Sequence, residues 1–347
     1  MPNKTELSGC LFIGDPHIAG RCPDFRADDY PSVILEKVAW CLDYAQSNKL
    51  LPVFLGDLFD KPRDNPTWMI GRLIEILNGS SAIGIYGNHD CAEPSLNDND
   101  SLMLLVKSNC LQLVSAENPW TGAMAGRPVL IGGSSYREQI PDKIAAGTKK
   151  QSTIEAPSAT TTEQASLFDE PAEPPTKSRK PTSKKRFGIW ITHHDLAIGD
   201  YEGGRFAPFA IGNVDLVVNG HIHRRNEPVQ CGKTMWTNPG NISRRSRSEK
   251  CRVQAPAVMQ LTFTASKFNL DYIEVPHQSF DDVFHEPVLD GDHEDGASAF
   301  VAGLSELRQR KTSSGAGLMN FLEKNIDQFS EEVGDEIRSL ANDVTTE

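Results

Sequence analysis

The sequence lacks paired cysteines, long apolar runs and an excess of basic residues, and each absence excludes a class of protein. Its seven cysteines are an odd number and include no CxxC pair, which argues against a disulfide framework. No run approaches the roughly 18 apolar residues of a membrane span. The N-terminus lacks a charged segment followed by an apolar one, so no secretory signal is predicted. We therefore expect a soluble, cytoplasmic protein without a membrane partner.

The net charge of −12 argues against a polyanionic substrate, but the charges are unevenly distributed. Residues 281–295 carry seven acidic residues and no Lys or Arg, whereas residues 243–252 carry five basic residues and one acidic residue. The basic tract could attract phosphate groups while the whole molecule stays acidic. It could equally be a solvated loop, and the sequence leaves both interpretations open. Arg244, Arg245 and Arg247 are the candidate phosphate contacts of this tract.

Short apolar runs alternate with amphipathic segments in the first part of the chain. Residues 11–13, 52–55 and 82–86 are typical of buried strands. Between them, residues 31–48 and 66–77 carry apolar side chains at helical spacing, and each segment begins with a proline. This alternation predicts an α/β core. Further along the chain, we predict a helix at residues 101–107, strands at residues 111–114, 129–131, 188–192, 234–237, 258–263 and 268–275, and a turn at residues 238–241. A chain of 347 residues is also long enough for two domains and for a large core.

Five stretches place metal-ligand side chains directly after apolar runs. In chain order they are Asp15-Pro16-His17, Gly56-Asp57-Leu58-Phe59-Asp60, Gly87-Asn88-His89-Asp90, His193-His194-Asp195 and Gly220-His221-Ile222-His223. In the last stretch the two imidazoles are two residues apart, so in an extended chain both can converge on one ion. Ligand sites in α/β sheets lie beyond the carboxyl ends of strands. The five stretches therefore predict one shared site.

The candidate ligands of this site offer only oxygen and nitrogen atoms. They are Asp15, His17, Asp57, Asn88, His193, His221 and His223. Such donors suit two divalent ions, for which we predict Mn²⁺ and keep Fe, Zn and Mg as alternatives. A two-metal centre needs a shared carboxylate, generates hydroxide near neutral pH and clamps a phosphoryl group during its displacement. Asp57 is the candidate for the shared carboxylate, and His194 is the alternative to His193.

Residues 145–186 differ in composition from the rest of the chain. They are rich in Thr, Ser, Pro, Glu and Lys and have few apolar residues, and such a segment cannot bury enough surface to become ordered. We predict a disordered insert that divides a catalytic core into residues 1–144 and 187–276. An acidic linker and a helical tail are predicted for residues 277–347. The apolar stripe of that tail could pack on its own domain or bind a partner.

A Leu-Phe pair lies within the predicted insert. Gln164, Leu167 and Phe168 form a QxxLF pattern, which resembles the motif by which bacterial replication and repair proteins bind the sliding clamp. An exposed apolar pair in a flexible segment is unexpected unless a partner binds it. Chance is the competing explanation, because so short a pattern recurs often. The pattern predicts a sliding clamp as a candidate partner.

The five stretches resemble those of the calcineurin-like metallophosphoesterases. The blocks DxH, GD, GNHD, H and GHxH occur in that family's order and span residues 15–223. The resemblance implies a four-layer α-β-β-α sandwich of two mixed sheets, with the metals at one edge. It implies one ion held by Asp15, His17, Asp57 and His223, and a second held by Asp57, Asn88, His193 and His221. His89 would donate a hydrogen bond or a proton to the leaving oxygen, with Asp90 or Asp60 orienting a ring.

Within that family, the tracts at residues 56–62, 132–136 and 238–246 are most similar to the SbcD-type DNA-repair exonuclease subunits. Those enzymes cleave DNA phosphodiesters together with an SbcC-type coiled-coil ATPase, so the resemblance implies DNA and such an ATPase as partners. The protein phosphatases of the superfamily carry Arg-Gly after GDxxD and have GNHE. Lys61-Pro62 and Asp90 stand at those places here. The short tail and the predicted insert depart from the nuclease pattern and leave the ATPase partnership open.

The expected reaction is hydrolysis of a DNA phosphodiester by a two-metal-activated hydroxide, in an exonuclease or endonuclease subunit of repair, recombination or replication. Arg244, Arg245 and Arg247 would contact flanking phosphates without reading the base sequence. One alternative is a phosphodiesterase or phosphatase for small nucleotides. Another is an inactive repair scaffold with a degenerate metal site, and the complete ligand set argues against it.

Overall fold

Two β-sheets of six strands each form the centre of the protein. The computed structural model describes residues 6–23, 26–144, 185–199, 204–247, 249–264 and 267–284, together with Ile337. Nearly all of the predicted insert lies outside the described residues, including the clamp motif of Gln164, Leu167 and Phe168. The predicted tail beyond residue 284 also lies outside them, apart from Ile337. The predictions for these segments therefore stay predictions.

Twelve strands and five helices follow one another along the described chain. In order they are β1 (Gly9–Ile13), α1 (Tyr30–Ser47), β2 (Leu50–Phe54), α2 (Thr67–Leu77), β3 (Ile83–Gly84), α3 (Ser101–Lys107), β4 (Gln112–Leu113), β5 (Trp120–Met124), β6 (Arg127–Ser134), β7 (Phe187–Thr192), β8 (Leu216–Asn219), β9 (Arg225–Cys231), β10 (Thr234–Pro239), α4 (Glu249–Val253), β11 (Ala257–Phe263), β12 (Phe268–Glu274) and α5 (Phe280–Val283). None of the described helices combines the length and hydrophobicity that crossing a bilayer requires.

Both sheets are mixed. The first has the order β12-β11-β1-β2-β3-β4, in which β1 to β4 are parallel while β11 and β12 are antiparallel to their neighbours. The second has the order β5-β6-β7-β8-β10-β9, in which β6, β7, β8 and β10 are parallel and the edge strands β5 and β9 are antiparallel. The predicted fold class, two mixed sheets with flanking helices, is confirmed.

Alternating residues of β1 divide the core into two layers. Leu11 and Ile13 pack with apolar residues of α1, α2 and α3. Cys10 and Phe12 point the other way and pack with apolar residues of β7 and β8 in the second sheet. Successive side chains of a strand point to opposite faces, so the first sheet is covered on both sides. This burial fixes where β1 ends, and therefore where the loop after it lies.

The second sheet carries another apolar cluster on its outer face. Trp190 and Trp236 pack there with Leu196, Ile198 and Ile211. The last three belong to the connection between β7 and β8, which has no helix among its described residues. Loop segments therefore bury this face and hold the carboxyl ends of β7 and β8 in place.

Helix α1 illustrates how the sequence pattern determines local structure. Its proline lies in the first turn, where a missing backbone N–H costs nothing. Ile34, Val38, Cys41 and Ala45 recur at helical spacing and are buried against the first sheet. The predicted helix, residues 31–48, agrees with the observed Tyr30–Ser47 to within one residue at each end.

Two strands and one turn differ from the predictions. The sequence does not predict β5 or β9, which are edge strands with mostly exposed or half-buried residues and so lack a clear apolar pattern. It predicts a turn at residues 238–241, but Asn238 and Pro239 end β10 instead. Pro239 pairs with Arg225 of β9, and the Asn238 side chain donates to the Gly220 carbonyl at 2.9 Å.

Residues Met1–Phe284 form one compact unit. The first residues of the predicted tail belong to it, because Phe280, Val283 and Phe284 are buried in a small cluster of their own. The Val283 carbonyl also accepts a hydrogen bond from the Ala27 N–H at 2.9 Å. The start of the predicted tail is therefore packed against the core.

Candidate metal centre

Loops at the carboxyl ends of β1, β2, β3, β7 and β8 bring the predicted ligands together. Asp15, His17 and His193 are 0% exposed and Asp57 is 1% exposed. Among the described residues, acidic and imidazole ligand atoms form three groups whose members lie within 4.8 Å of one another. These groups are Asp15-His17-Asp57-His223, His17-Asp60-His89 and Asp57-His193-His221.

The first group surrounds the Nε2 atom of His17. This atom lies 2.8 Å from His223 Nε2 and 3.7 Å from Asp57 Oδ2. His223 Nε2 in turn lies 3.7 Å from Asp15 Oδ1. Two ligands that each bind an ion at about 2.1 Å are roughly 3 Å apart when they are adjacent. These spacings fit one cation shared by the four residues.

The second group has Asp57 in common with the first. Asp57 Oδ2 lies 3.2 Å from His193 Nε2. Asn88 Oδ1 lies 3.3 Å from the same nitrogen and 3.0 Å from His221 Nδ1, so the amide oxygen joins this group. His193 Nδ1 donates to the Leu55 carbonyl at 2.7 Å. That bond leaves the lone pair of the ring on Nε2, where a metal can use it.

An unpartnered carboxylate oxygen indicates that a cation fits here. Asp15 Oδ1 accepts from the His221 N–H at 2.9 Å, but Oδ2 is buried and has no hydrogen-bond partner among the described residues. A buried, unpaired oxygen of this kind is costly. The donors are oxygen and nitrogen atoms without a thiolate, which suits hard or borderline divalent ions. The residues present therefore fit a metal centre.

Several ligands adopt a backbone conformation that is rare for residues other than glycine. The φ angle is 42° at Asp15, 48° at His17, 48° at Asp57 and 67° at His221. Each such position costs on the order of 1–3 kcal/mol and persists only where the surrounding structure holds it. Gly87 is needed for a different reason, because a Cβ there would lie 2.1 Å from Asp57 Oδ1. Only glycine lets this loop approach the shared carboxylate.

Burial keeps three of the four imidazole ligands neutral. It lowers the pKa of His221 and of His223 to about 3, and it holds the pKa of His17 well below its ordinary value. Burial acts in the same direction on His193, but the Asp57 carboxylate beside it outweighs burial and raises the pKa of His193 to about 9, so a metal ion must displace a proton from this ring. Neutral imidazole is the form that binds metals.

The two buried carboxylates differ in charge compensation. Burial, reinforced by the negative charge of Asp57, raises the pKa of Asp15 to about 8. Burial also disfavours the charged form of Asp57, but the His193 ring beside it outweighs burial and holds the pKa of Asp57 well below its usual range. Asp15 therefore lacks positive charge that a divalent cation would supply.

His89 lies at the open side of the centre. Its side chain is 35% exposed, and its Nδ1 donates to the Asp60 carbonyl at 2.8 Å. Its backbone N–H donates to Asp57 Oδ1 at 2.7 Å. The side-chain bond occupies Nδ1 and makes Nε2 the nitrogen available for proton transfer.

Comparison with known protein families identifies the family to which this chain belongs. The model of the family described as calcineurin-like phosphoesterase matches residues 10–225, which is more than half of the chain. The protein belongs to the calcineurin-like phosphoesterase family. The matched residues include every predicted metal ligand, and the family predicted from the five stretches is confirmed. This phosphoesterase is therefore a hydrolase with an Asp and His cluster fit for divalent metals.

Two solved structures are similar to this phosphoesterase. A hypothetical protein from Thermus thermophilus is 12% identical, with a TM-score of 0.37 over 77% of this chain and 99% of that one. A conserved uncharacterized protein from Streptococcus pneumoniae, a predicted phosphoesterase, is 12% identical, with a TM-score of 0.32 over 81% of this chain and 93% of that one. At these TM-scores neither similarity supports an argument about function. No curated protein matches the chain.

The two carboxylates predicted to orient a ring have different partners in this phosphoesterase. Asp60 Oδ1 lies 3.8 Å from His17 Nδ1 and 3.7 Å from His89 Nδ1, so it faces both rings. Asp90 is 0% exposed and accepts hydrogen bonds from three backbone N–H groups, those of Leu58, Phe59 and Gly87. Asp90 therefore ties two ligand loops together and contacts no ring, and Asp60 is the remaining candidate for orienting an imidazole.

The predicted phosphate-binding arginines lie in different surroundings. Arg244 is 5% exposed and donates to the Gln278 carbonyl at 3.1 Å, so its burial argues against a contact with DNA. Arg245 reaches the metal centre, and Arg247 is half-buried. The charge pattern of the sequence identifies all three arginines as candidates. It does not show which of them is buried and which reaches the metal centre.

Two further residues lie beside the ligands. His194 is 5% exposed, donates from Nε2 to the Glu138 carbonyl at 2.7 Å and belongs to none of the ligand groups, so the structure favours His193. The ring centroid of Tyr136 lies 6.2 Å from that of His221. The sequence does not predict Tyr136 as a site residue, because a single tyrosine after a strand has no distinguishing spacing.

Proposed function

We propose that this phosphoesterase is a metal-dependent phosphodiesterase that cleaves DNA in the cytoplasm, as an exonuclease or endonuclease subunit of repair, recombination or replication. One observation carries the proposal. The carboxylate of Asp57 belongs to both the His17 and the His193 ligand groups. A carboxylate shared between two ions is what a two-metal centre for phosphoryl displacement requires.

The open face of the centre supports a polymeric substrate. The side chains of His223, His89 and Arg245 are 39%, 35% and 27% exposed, so solvent reaches this side. A DNA strand can cross such a face, whereas pockets for small ligands bury most of the ligand surface. Arg245 belongs to the basic tract of residues 243–252, which can neutralise neighbouring phosphates.

The ligand groups support a proposal of two bound ions. Asp15, His17, Asp57 and His223 would hold one ion, and Asp57, Asn88, His193 and His221 would hold the other. We propose Mn²⁺ for both, with Fe, Zn and Mg as alternatives. When bound, the ions would supply Lewis-acid charge and lower the pKa of water in the site.

The protein's own groups supply the proton for the leaving oxygen. His89 Nδ1 is held by the Asp60 carbonyl, so the proton on Nε2 can pass to the sugar oxygen as its bond to phosphorus breaks. The step needs a ring that carries a proton on both nitrogens, and the Asp60 carboxylate lies 3.7 Å from His89 Nδ1, where it can orient the ring. The bond from the His89 N–H to Asp57 fixes the distance between proton donor and ligands.

A direct assay tests the proposal. Purified protein with Mn²⁺ is given linear duplex DNA, single-stranded DNA and bis-p-nitrophenyl phosphate, beside the His89→Ala variant. We expect the wild type to hydrolyse the small diester and at least one DNA, and the variant to lose the cleavage of DNA. Hydrolysis of the small diester without DNA cleavage, even with a candidate ATPase added, contradicts the nuclease proposal. It would favour the alternative of a phosphodiesterase or phosphatase for small nucleotides.

A sliding clamp and an SbcC-like coiled-coil ATPase are the proposed protein partners. The QxxLF pattern of Gln164, Leu167 and Phe168 supports the clamp, and the resemblance to SbcD-type subunits supports the ATPase. Replacement of Leu167 and Phe168 by alanine should abolish retention of the full chain on a column of immobilised clamp. Unchanged retention eliminates the motif as the point of contact.

A further inference from the structure

We propose that Arg245 binds the phosphate group that is cleaved, at the metal centre itself. The inference rests on the proposed function, since it concerns the substrate of the same site. It also alters the role predicted for Arg245, which the sequence assigns to a flanking phosphate.

The position of Arg245 is the first observation. Its Nη2 lies 2.7 Å from Asp60 Oδ1 and its Nη1 lies 3.3 Å from His17 Nδ1. The side chain is 27% exposed, while its Nε is buried and finds no hydrogen-bond partner in the part of the chain that the structure describes. A guanidinium carries five N–H donors in a fixed plane and pairs with phosphate through two parallel bonds. The described contacts of Arg245 leave some of its guanidinium N–H groups available beside the ligands of the first ion.

The proton on His17 provides the second observation. If His17 binds an ion through Nε2, its proton must lie on Nδ1. A protonated Nδ1 cannot accept a hydrogen bond from Arg245, and it points instead toward Asp60 Oδ1, 3.8 Å away. Metal binding therefore removes one partner of Arg245 and keeps the other. The guanidinium stays anchored to Asp60 with Nη1 available for an anion.

The backbone before Arg245 is held by two buried basic side chains, which is the third observation. Lys37 Nζ donates to the Ile242 carbonyl at 2.9 Å, and Arg26 Nη1 donates to the Ser243 and Arg244 carbonyls at 3.3 and 2.7 Å. Arg26 is 6% exposed and Lys37 is 5% exposed. Three successive carbonyls are thus fixed from within the protein.

Further contacts anchor this support. Arg26 is paired with Asp28 through Nε at 2.7 Å and Nη2 at 2.5 Å. Arg244 has a φ angle of 47°, a left-handed conformation that turns the chain just before Arg245. Buried basic groups are costly unless they are paired or hydrogen-bonded, and such support for the loop of residues 241–244, which is itself buried, indicates that its direction matters. The loop aims Arg245 at the centre.

A competing explanation is that Arg245 only balances the charge of Asp60. The two roles predict different results for binding of inorganic phosphate. If Arg245 only balances the charge of Asp60, removing that charge as well should restore binding, so the double variant Arg245→Gln/Asp60→Asn should bind phosphate as the wild type does. If Arg245 binds the phosphate itself, the double variant should bind phosphate as weakly as Arg245→Gln.

The test uses the full chain loaded with Mn²⁺, with metal content measured by mass spectrometry and phosphate affinity by calorimetry. We expect Arg245→Gln to keep the metal content of the wild type and to bind inorganic phosphate about 10- to 100-fold more weakly. Arg245→Lys should lose less, because it keeps the charge without the paired donors. Arg72→Gln, on an exposed part of α2, is the matched control and should bind as the wild type does.

Each other outcome overturns the inference. These outcomes are unchanged affinity in Arg245→Gln, restored affinity in the double variant Arg245→Gln/Asp60→Asn, loss of metal from both Arg245 variants, or no phosphate binding by the wild type. The proposed function fails separately, if the wild type binds phosphate through Arg245 but hydrolyses no phosphodiester.

Discussion

His17 and His223 are separated by 206 positions in the chain, yet their Nε2 atoms lie 2.8 Å apart in the fold. One follows β1 of the first sheet, and the other follows β8 of the second. Two neutral ring nitrogens can share this distance only if a proton or a cation lies between them. The contact therefore brings ligand atoms that follow strands of both sheets to a spacing that fits a shared cation.

The shared carboxylate gives the first prediction. Asp57→Asn removes charge from both ligand groups at nearly constant volume, so we expect the metal content to fall and hydrolysis of bis-p-nitrophenyl phosphate to drop by at least about 10²-fold. Mass spectrometry of the metal-loaded chain measures the metal content, and a rate assay measures the hydrolysis. Asp43→Asn, on the exposed face of α1, should change neither. A variant with full metal content would show that Asp57 is not a shared ligand.

The proton donor gives the second prediction. His89→Ala should leave the metal content unchanged and lower kcat by about 10²- to 10⁴-fold for a diester with an alkyl leaving group. The loss should be smaller with p-nitrophenolate, because this good leaving group needs no proton. Rates for the two classes of substrate measure the difference. Equal losses for both would contradict the proposed role of His89.

Two glycines provide a matched pair. Gly87→Ala places a Cβ 2.1 Å from Asp57 Oδ1, so we expect weaker metal binding and a lower Tm. Gly71 lies in α2, where an added Cβ would meet no atom within 4 Å. Gly71→Ala should therefore raise the free energy of unfolding by about 0.5–1 kcal/mol and leave metal binding unchanged. Normal metal binding by Gly87→Ala would show that the loop containing Asn88 can accommodate a Cβ that would lie too close to Asp57 in the structure.

Lys37 gives a prediction about pH. Burial, together with the charges of Arg26 and Arg244, lowers the pKa of Lys37 to about 7. Above that pH the unfolded chain keeps a proton on this side chain that the folded chain has released, so the contribution of Lys37 to stability rises with pH. Relative to Lys37→Met, the free energy of unfolding of the wild type should increase between pH 7 and 9, by at most about 1.4 kcal/mol per pH unit. Urea denaturation of both proteins at several pH values measures this difference in the free energy of unfolding. A difference that stays constant with pH would contradict the lowered pKa.

Local sequence was sufficient to predict most of the ligand loops. Asp15, Asp57 and His193 each follow a short apolar run, and burial of that run fixes where the strand ends. The same burial pattern predicts α1 to within one residue at each end. These features depend on neighbours in the chain, which a single sequence displays.

Long-range contacts account for what the sequence does not predict. Arg26 and Lys37 support carbonyls 217 and 205 residues away in the chain, and nothing near either residue indicates such a partner. Asp90 follows the ligand Asn88, but only the fold shows that its oxygens accept from backbone N–H groups across two loops. Arg244 and Arg245 are identical neighbours in sequence, and the left-handed turn at Arg244 gives them opposite surroundings.

The central claim is that two ions sharing Asp57 make this protein a phosphodiesterase. Its most direct test is to remove metal from the wild type, add back Mn²⁺ in steps and follow hydrolysis of bis-p-nitrophenyl phosphate against the number of ions bound per chain. We predict no hydrolysis without metal and full activity only when two ions are bound. Full activity with a single bound ion, or activity of the metal-free chain, would contradict the account.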